Sequence, residues 1–221
     1  MNETITSESY RKLFKTIYDL YHTEENKNKL LFHGWHHIQF VHDKSIEFAQ
    51  ELNANVTIVA SAVLVHDLNY IFTEKLEPEA ANLQIKEHLI AAGFAEDEVS
   101  NMLAIIESAH TGHRANAQLS DEAKALSDAD TLFKALPITP ILFASKFITE
   151  NKYDIRKLAN KVVGEQEPLI LSDQYFFTQL AKDKYSKWAN ANLQIWKNVL
   201  EALDDKAVSD MLQTAEELGV L

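Results

Sequence analysis

The chain has 221 residues, 46% of them hydrophobic, which suits one large domain with a sizeable core and argues against global disorder. With no cysteine, disulfides, thiolate nucleophiles and Cys-ligated zinc are excluded. The net charge of −12, from 21 basic and 33 acidic residues, disfavours a nucleic-acid partner, whereas a small anionic substrate needs a cation in the site to reverse the local field.

Only 5 glycines and 4 prolines leave few places for tight hairpins, so long helices are expected rather than short strands. No internal repeat or low-complexity linker interrupts the pattern. The opening "MNETITSESYRKLFKTIYDLYH" lacks the basic-then-apolar layout of a signal peptide and predicts an amphipathic helix over 6–22. Its apolar side carries Tyr10, Leu13, Phe14, Ile17 and Leu20. After the polar break "HTEENKNK", a second helix is predicted from about 35 to 52, with Ile38, Val41, Phe48 and Leu52 inward. The segment "VTIVASAVLVHDL" is apolar on all sides and reads as a central buried helix, a strand being the alternative.

Pro78 fits the first turn of a helix that Gly93 would cap. "EDEVSNMLAIIESAH" follows with acids at its N-terminal end and a stripe of Val99, Leu103, Ile106 and His110. "LSDEAKALSDADTLFKAL" predicts a further helix that stops before Pro137. The most apolar stretch, Lys134 to Lys146, is too short and too proline-broken to span a bilayer, so a soluble cytoplasmic protein is expected. A long helix through Trp188, Ala191, Ile195, Val199 and Leu203 lies near the end. The expected class is all-α, a compact helical bundle forming one domain over 1–221. Its motif-bearing core would occupy about 30–135, with the helices of 138–221 packed on it.

Several polar residues fall where the pattern asks for apolar ones. "LLFHGWHHIQFVHD" holds four of the nine histidines. His33 and His37, four apart, project from one side of a helix that begins near His33, although His33 could also simply cap that helix. His36 and His42 do not share that side and are expected at the surface. His66-Asp67 ends the apolar run, and a carboxylate there costs several kcal/mol unless a cation, whether a metal ion or a basic side chain, compensates. The alternative makes Asp67 a cap for the turn "LNYIF". In the later helix, Leu119, Ala123, Leu126, Asp130 and Phe133 step by four, three, four and three. Asp130 is therefore in line with the core-facing stripe, and Asp128 points about 200° away. Two carboxylates converging on a core without Arg or Lys to pair them would repel each other, and a divalent cation resolves this. His37, His66, Asp67 and Asp130 form a mixed N/O set suited to one ion of Mn, Co, Ni, Fe, Zn or Mg.

In this order the residues resemble the H…HD…D signature of the HD-domain metal-dependent phosphohydrolases. "FHGWHHI" is similar to a Y-H-N-x-x-H opening, with Phe32, His33 and Gly34 in its first three places and His37 as ligand. "AVLVHDLNY" resembles the apolar-H-D-apolar segment, and "IIESAH" with "LSDADTL" resembles the I-x-x-x-H and D-A-D-x-L segments of small bacterial members. "FFTQLAKDKYSKWANANL" is more faintly like their C-terminal helix. The likeness covers roughly 30–135. It departs from the pattern at Gly34, where the motif has Asn, and at Thr131, Leu132 and Phe133, where R-L-D often follows.

The resemblance implies a helical HD-type domain and hydrolysis of a phosphoester or phosphoanhydride bond in a small substrate, a nucleotide or related metabolite. It implies His37, His66, Asp67 and Asp130 as ligands of a divalent metal that activates water. Asp67 would also orient the attacking water, and His33 would protonate the leaving oxygen or bind phosphate. His110, Arg114 and Lys134 are the candidate substrate contacts. A second metal would draw on Glu77, where two-metal members often have histidine, and on His110. Two other readings compete: an HD-type diiron oxygenase, and an HD-fold binding module without turnover. The oligomeric state, homodimer included, is left open.

Overall fold

The computed structural model describes residues 5–72, 78–109 and 118–220. The described elements are α1 (Glu8–Tyr21), α2 (Glu24–Lys29), α3 (Trp35–Glu51), α4 (Val56–Val65), a 3-10 turn (Leu68–Tyr70), α5 (Pro78–Ala92) and α6 (Glu96–Ala109). The chain continues with α7 (Asp121–Ala135), α8 (Thr139–Leu142), α9 (Ala144–Asn151), α10 (Ile155–Leu171), α11 (Gln179–Asp204) and α12 (Lys206–Glu217). The fold is all-α, and no strand occurs among the described residues. No helix among them is long and apolar enough to cross a membrane.

Local chemistry starts most of these helices. Side-chain oxygens of Ser7, Thr23, Asn55, Ser120, Asp154, Thr178 and Asp205 each accept from a backbone N–H one turn into the following helix. Gly93 ends α5 at φ +96°, a left-handed position, and its N–H donates to Ile90 O at 2.9 Å. Helix α3 starts without such a bond, as α8 and α9 do. Gly34 is its N-cap and provides no side-chain bond. A Cβ at Gly34 would sit 2.6 Å from the carbonyl oxygen of Leu30, which explains glycine at a place where the resembling motif carries Asn.

The run "VTIVASAVLV" is a helix, not a strand. In α4 every side chain from Ile58 to Val65 is buried, because α1, α3, α6 and α7 surround it. Helix α7 packs on α3, α4, α6 and α11, so it too is enclosed on several sides. That enclosure corrects the expectation for Asp128. Its carboxylate is fully buried and accepts from Phe177 N at 2.9 Å and from Thr178 N at 2.7 Å, at the N-terminus of α11. An anion at a helix N-terminus meets unpaired N–H groups and the positive end of the dipole.

Other stripes are rotated from their expected registers. In α6 the buried face is Val99, Met102, Ile105, Ile106 and Ala109, with Leu103 only half-buried. In α11 it is Ala181, Tyr185, Ala189, Asn192, Leu193 and Trp196, while Ala191 is exposed. The buried Asn192, whose Nδ2 donates to Leu136 O at 3.0 Å, interrupts the apolar period there. His42 was expected at the surface and is buried; its Nε2 lies 2.7 Å from Tyr10 Oη, which ties α3 to α1. His36 is exposed and stacks on Phe143.

The main core collects residues from α1, α3, α4, α5, α6, α7 and the start of α11. A second, smaller cluster consists of Leu158, Ala159 and Trp196, with Phe147, Tyr153 and Val162 packed against it. The cavity described next lies where these two clusters meet, since Phe32 of the first and Leu158 and Trp196 of the second all line it.

Candidate metal centre and adjoining cavity

Three packed helices, α3, α4 and α7, bring His37, His66, Asp67 and Asp130 to one place. His37 Nε2 lies 3.0 Å from Asp67 Oδ2 and 3.5 Å from Asp130 Oδ1, and His66 Nε2 lies 3.3 Å from Asp67 Oδ2. Short as they are, these approaches lack hydrogen-bonding direction: both ring nitrogens of His37, and Nε2 of His66, are buried with no hydrogen-bond partner. His37 is fully buried, and Asp67 is only 13% exposed at its side chain. Asp67 occupies the N-cap position of the 3-10 turn yet makes no side-chain cap bond, so its carboxylate serves the histidines rather than the turn.

The backbone leaves one ring nitrogen of His66 able to act as a ligand. It is the C-terminal cap of α4, and its Nδ1 lies 2.7 Å from Val63 O, so the proton belongs on Nδ1. That leaves a lone pair on Nε2, the nitrogen that faces Asp67. A metal–ligand bond length of about 2.1 Å places neighbouring donors about 3.0–3.4 Å apart in octahedral or tetrahedral geometry. The donor spacings here fall in that range or within about 0.1 Å of it. One atom from each of His37, His66 and Asp67 lies within 4.8 Å of the others, and Asp130 stands beside His37 as a fourth. The orphaned imidazole nitrogens and the donor spacing fit one divalent ion.

The electrostatics favour ionised carboxylates. Burial opposes ionisation of Asp67, but His66, His37 and His33 hold its carboxyl well below the usual range. Asp130 is likewise opposed by burial and is brought down to about 2, with Lys134 the foremost cause. Lys134 Nζ donates to Asp130 Oδ2 at 2.6 Å, one turn along α7. Burial alone would lower the Lys134 pKa, and Asp130 instead holds it above its ordinary value. So the premise that no basic residue accompanies the two carboxylates needs correction: Lys134 compensates Asp130, and Asp67 is left without a lysine or arginine at ion-pair distance among the described residues.

His33 does not cap α3. Its Nδ1 pairs with Glu150 Oε1, and Glu150 Oε2 also accepts from Phe32 N at 2.8 Å and His33 N at 3.3 Å. Burial works against the Glu150 charge, and contact with His33 outweighs it. On its face, His33 stacks on Tyr70 with centroids 3.6 Å apart and an interplanar angle of 12°. Neither partner follows from the sequence. Glu150 lies 117 residues from His33 in the polar stretch "FITENKYD", and no spacing rule links them. Tyr70 at least stands three residues after Asp67, inside the recognised segment.

A cavity of about 350 Å³ opens against this centre. His33, Tyr70 and Lys134 line it on the side of this cluster, and Phe147, Tyr153 and Trp196 are also among its lining residues. Lys134, expected to contact substrate, therefore borders both the carboxylates and the cavity. His110, Arg114 and Glu77 lie outside the described residues.

No family model matches this chain. A stretch of 106 residues is 33% identical to the uncharacterized protein YpgQ of Bacillus subtilis (strain 168), covering 45% of this chain and 50% of that protein. The match thus spans about half the length of that relative. The crystal structure of Bacillus subtilis YpgQ is similar over 89% of this chain and 96% of that one, with a TM-score of 0.58 and 19% identity. The crystal structure of YpgQ in complex with ADP gives a TM-score of 0.59 and 22% identity over 91% and 99% of the two chains. These likenesses show a shared all-α fold.

Proposed function

We propose that this chain is a metal-dependent phosphohydrolase acting on a small phosphorylated substrate, with a nucleotide as the preferred class. The observation that carries the reading is the convergence of His37, His66, Asp67 and Asp130, with three ring nitrogens buried and without a hydrogen-bond partner, at the edge of a cavity. When bound, a divalent ion supplies positive charge against phosphate oxygens and lowers the pKa of water toward neutrality. The likeness to a YpgQ structure in complex with ADP supports a nucleotide as ligand.

The chain's own groups have distinct tasks in this reading. Asp67 stays ionised and accepts a hydrogen bond from the attacking water, orienting it. Lys134 holds the Asp130 carboxylate in place and turns its charge toward incoming phosphate oxygens at the cavity wall. Glu150 takes the Nδ1 side of His33, so Nε2 is the nitrogen that exchanges a proton with the leaving oxygen. Tyr70 keeps that ring from rotating by stacking on it. With a net charge of −12, the surface gives no general attraction to anions, so productive approach depends on this local cluster.

Metal analysis of the purified protein tests the reading, followed by a hydrolysis screen of nucleotides and sugar phosphates with Mn, Co, Ni and Mg. About one ion per chain and release of phosphate or pyrophosphate are expected. Asp67→Ala loses both while its far-ultraviolet circular dichroism stays helical. Turnover retained in that variant would remove the assigned centre from the chemistry.

A further inference from the structure

Helix α10 turns Leu158, Val162 and Gln166, spaced four apart, toward the cavity. The first two are what a buried stripe requires. Gln166 is not, and it is only 7% exposed. A buried amide is ordinarily hydrogen-bonded, as Asn26 is to Leu20 O at 2.8 Å. Gln166 Oε1 is buried without a partner, and neither end of its amide makes a hydrogen bond among the described residues. Phe147, Tyr153 and Trp196 also line the cavity, together with the charged Lys161 and Glu165 and with Lys134 at the edge of the candidate metal centre.

We propose that Gln166 is the residue that selects a nucleobase, reading the hydrogen-bonding edge of a heterocycle held among these aromatic side chains. This deepens the phosphohydrolase reading and rests on it, since it takes the cavity to be the substrate site. A carboxamide presents a carbonyl acceptor and an NH₂ donor side by side. The edge of a nucleobase presents the complementary pair, a ring N–H or amino donor beside a ring nitrogen or carbonyl acceptor. The cavity volume of about 350 Å³ lies in the range of small-ligand sites. Bare phosphates and sugar phosphates would use Lys134 but leave the aromatic lining of Phe147, Tyr153 and Trp196 without a planar partner. They would also offer no two-point match to Gln166. The selectivity is therefore for phosphates that carry a base, and it comes from a residue that touches neither the metal ligands nor the bond to be broken.

The test is calorimetric binding of ADP and of inorganic pyrophosphate to the full chain in Mn²⁺, comparing wild type with Gln166→Leu. Leucine suits the apolar stripe and removes the unpaired carbonyl, so its thermal midpoint equals or exceeds wild type. ADP affinity is expected to fall about ten- to a hundredfold. Pyrophosphate affinity changes less than about twofold, so the preference for ADP collapses. An unchanged ADP-to-pyrophosphate ratio in the variant overturns the role of Gln166. So does a wild type that binds the two ligands equally, and both outcomes leave the phosphohydrolase reading standing. A wild type that binds neither ligand with Mn²⁺ overturns both readings, and it does so before any variant is compared.

Discussion

Replacing Asp128 by Ala should separate the anchoring of α11 from the metal binding proposed for Asp130, two residues further along α7. The carboxylate of Asp128 is fully buried and accepts from two backbone N–H groups, those of Phe177 and Thr178. Each hydrogen bond to a charged group contributes roughly 1.5–3 kcal/mol, and truncation strands the donors as well. Removing one partner from a buried charged arrangement costs about 3–5 kcal/mol, which agrees with the sum of the two bonds. For a domain of this length each kcal/mol moves the midpoint by about 2–4 °C, so Asp128→Ala should melt about 6–20 °C lower. Asp128→Asn keeps one acceptor oxygen and should recover roughly half of the loss. Thermal and urea unfolding followed at 222 nm measure both variants, and metal content at low temperature should equal wild type. A midpoint within about 2 °C of wild type would refute the anchoring. Loss of metal at unchanged stability would instead place Asp128, and not Asp130, in the centre.

Three further outcomes are expected. Mn²⁺ at a hundredfold excess over its dissociation constant should stabilise the wild type by about 2.7 kcal/mol but leave the midpoint of His37→Ala nearly unmoved, as read by thermal shift; an equal shift in both would remove His37 from the ligand set. Glu150→Gln should retain metal and lower kcat about ten- to a hundredfold, because the ring of His33 loses its anionic partner; a KM increase at constant kcat would make His33 a binding contact only. Gly34→Ala should be destabilised by about 1–3 kcal/mol in denaturant titration, since the added methyl meets a backbone oxygen at 2.6 Å, and a neutral result would show that the Leu30 carbonyl can yield.

The sequence carried much of this arrangement and missed identifiable parts. Helix extents were legible where the apolar period is regular, as over 35–52, and α4 was legible as a buried helix, with a strand as the alternative, because no charged residue breaks its run. The alignment of Asp130 with the apolar stripe placed it correctly near His37. The same reasoning failed for Asp128, because a stripe argument assumes one buried face and α7 is enclosed by neighbours on several. It failed for His42, whose burial depends on Tyr10 from another helix. Glu150 and the cavity wall were beyond reach for a similar reason: their roles arise from contacts between segments far apart in the chain, and local periodicity contains no information about them.

The division of the hydrophobic interior into two clusters has a consequence for how selectivity could diversify. The prospective ligands to the ion are seated in the larger body, while much of the opposite wall belongs to the minor one around Leu158 and Trp196. Substitutions on α9, α10 or the far half of α11 can reshape what the cleft accepts while the reactive end keeps its geometry. Glu150 is the exception, a single carboxylate reaching from α9 to steady His33, so the wall can be rewritten around it but not through it.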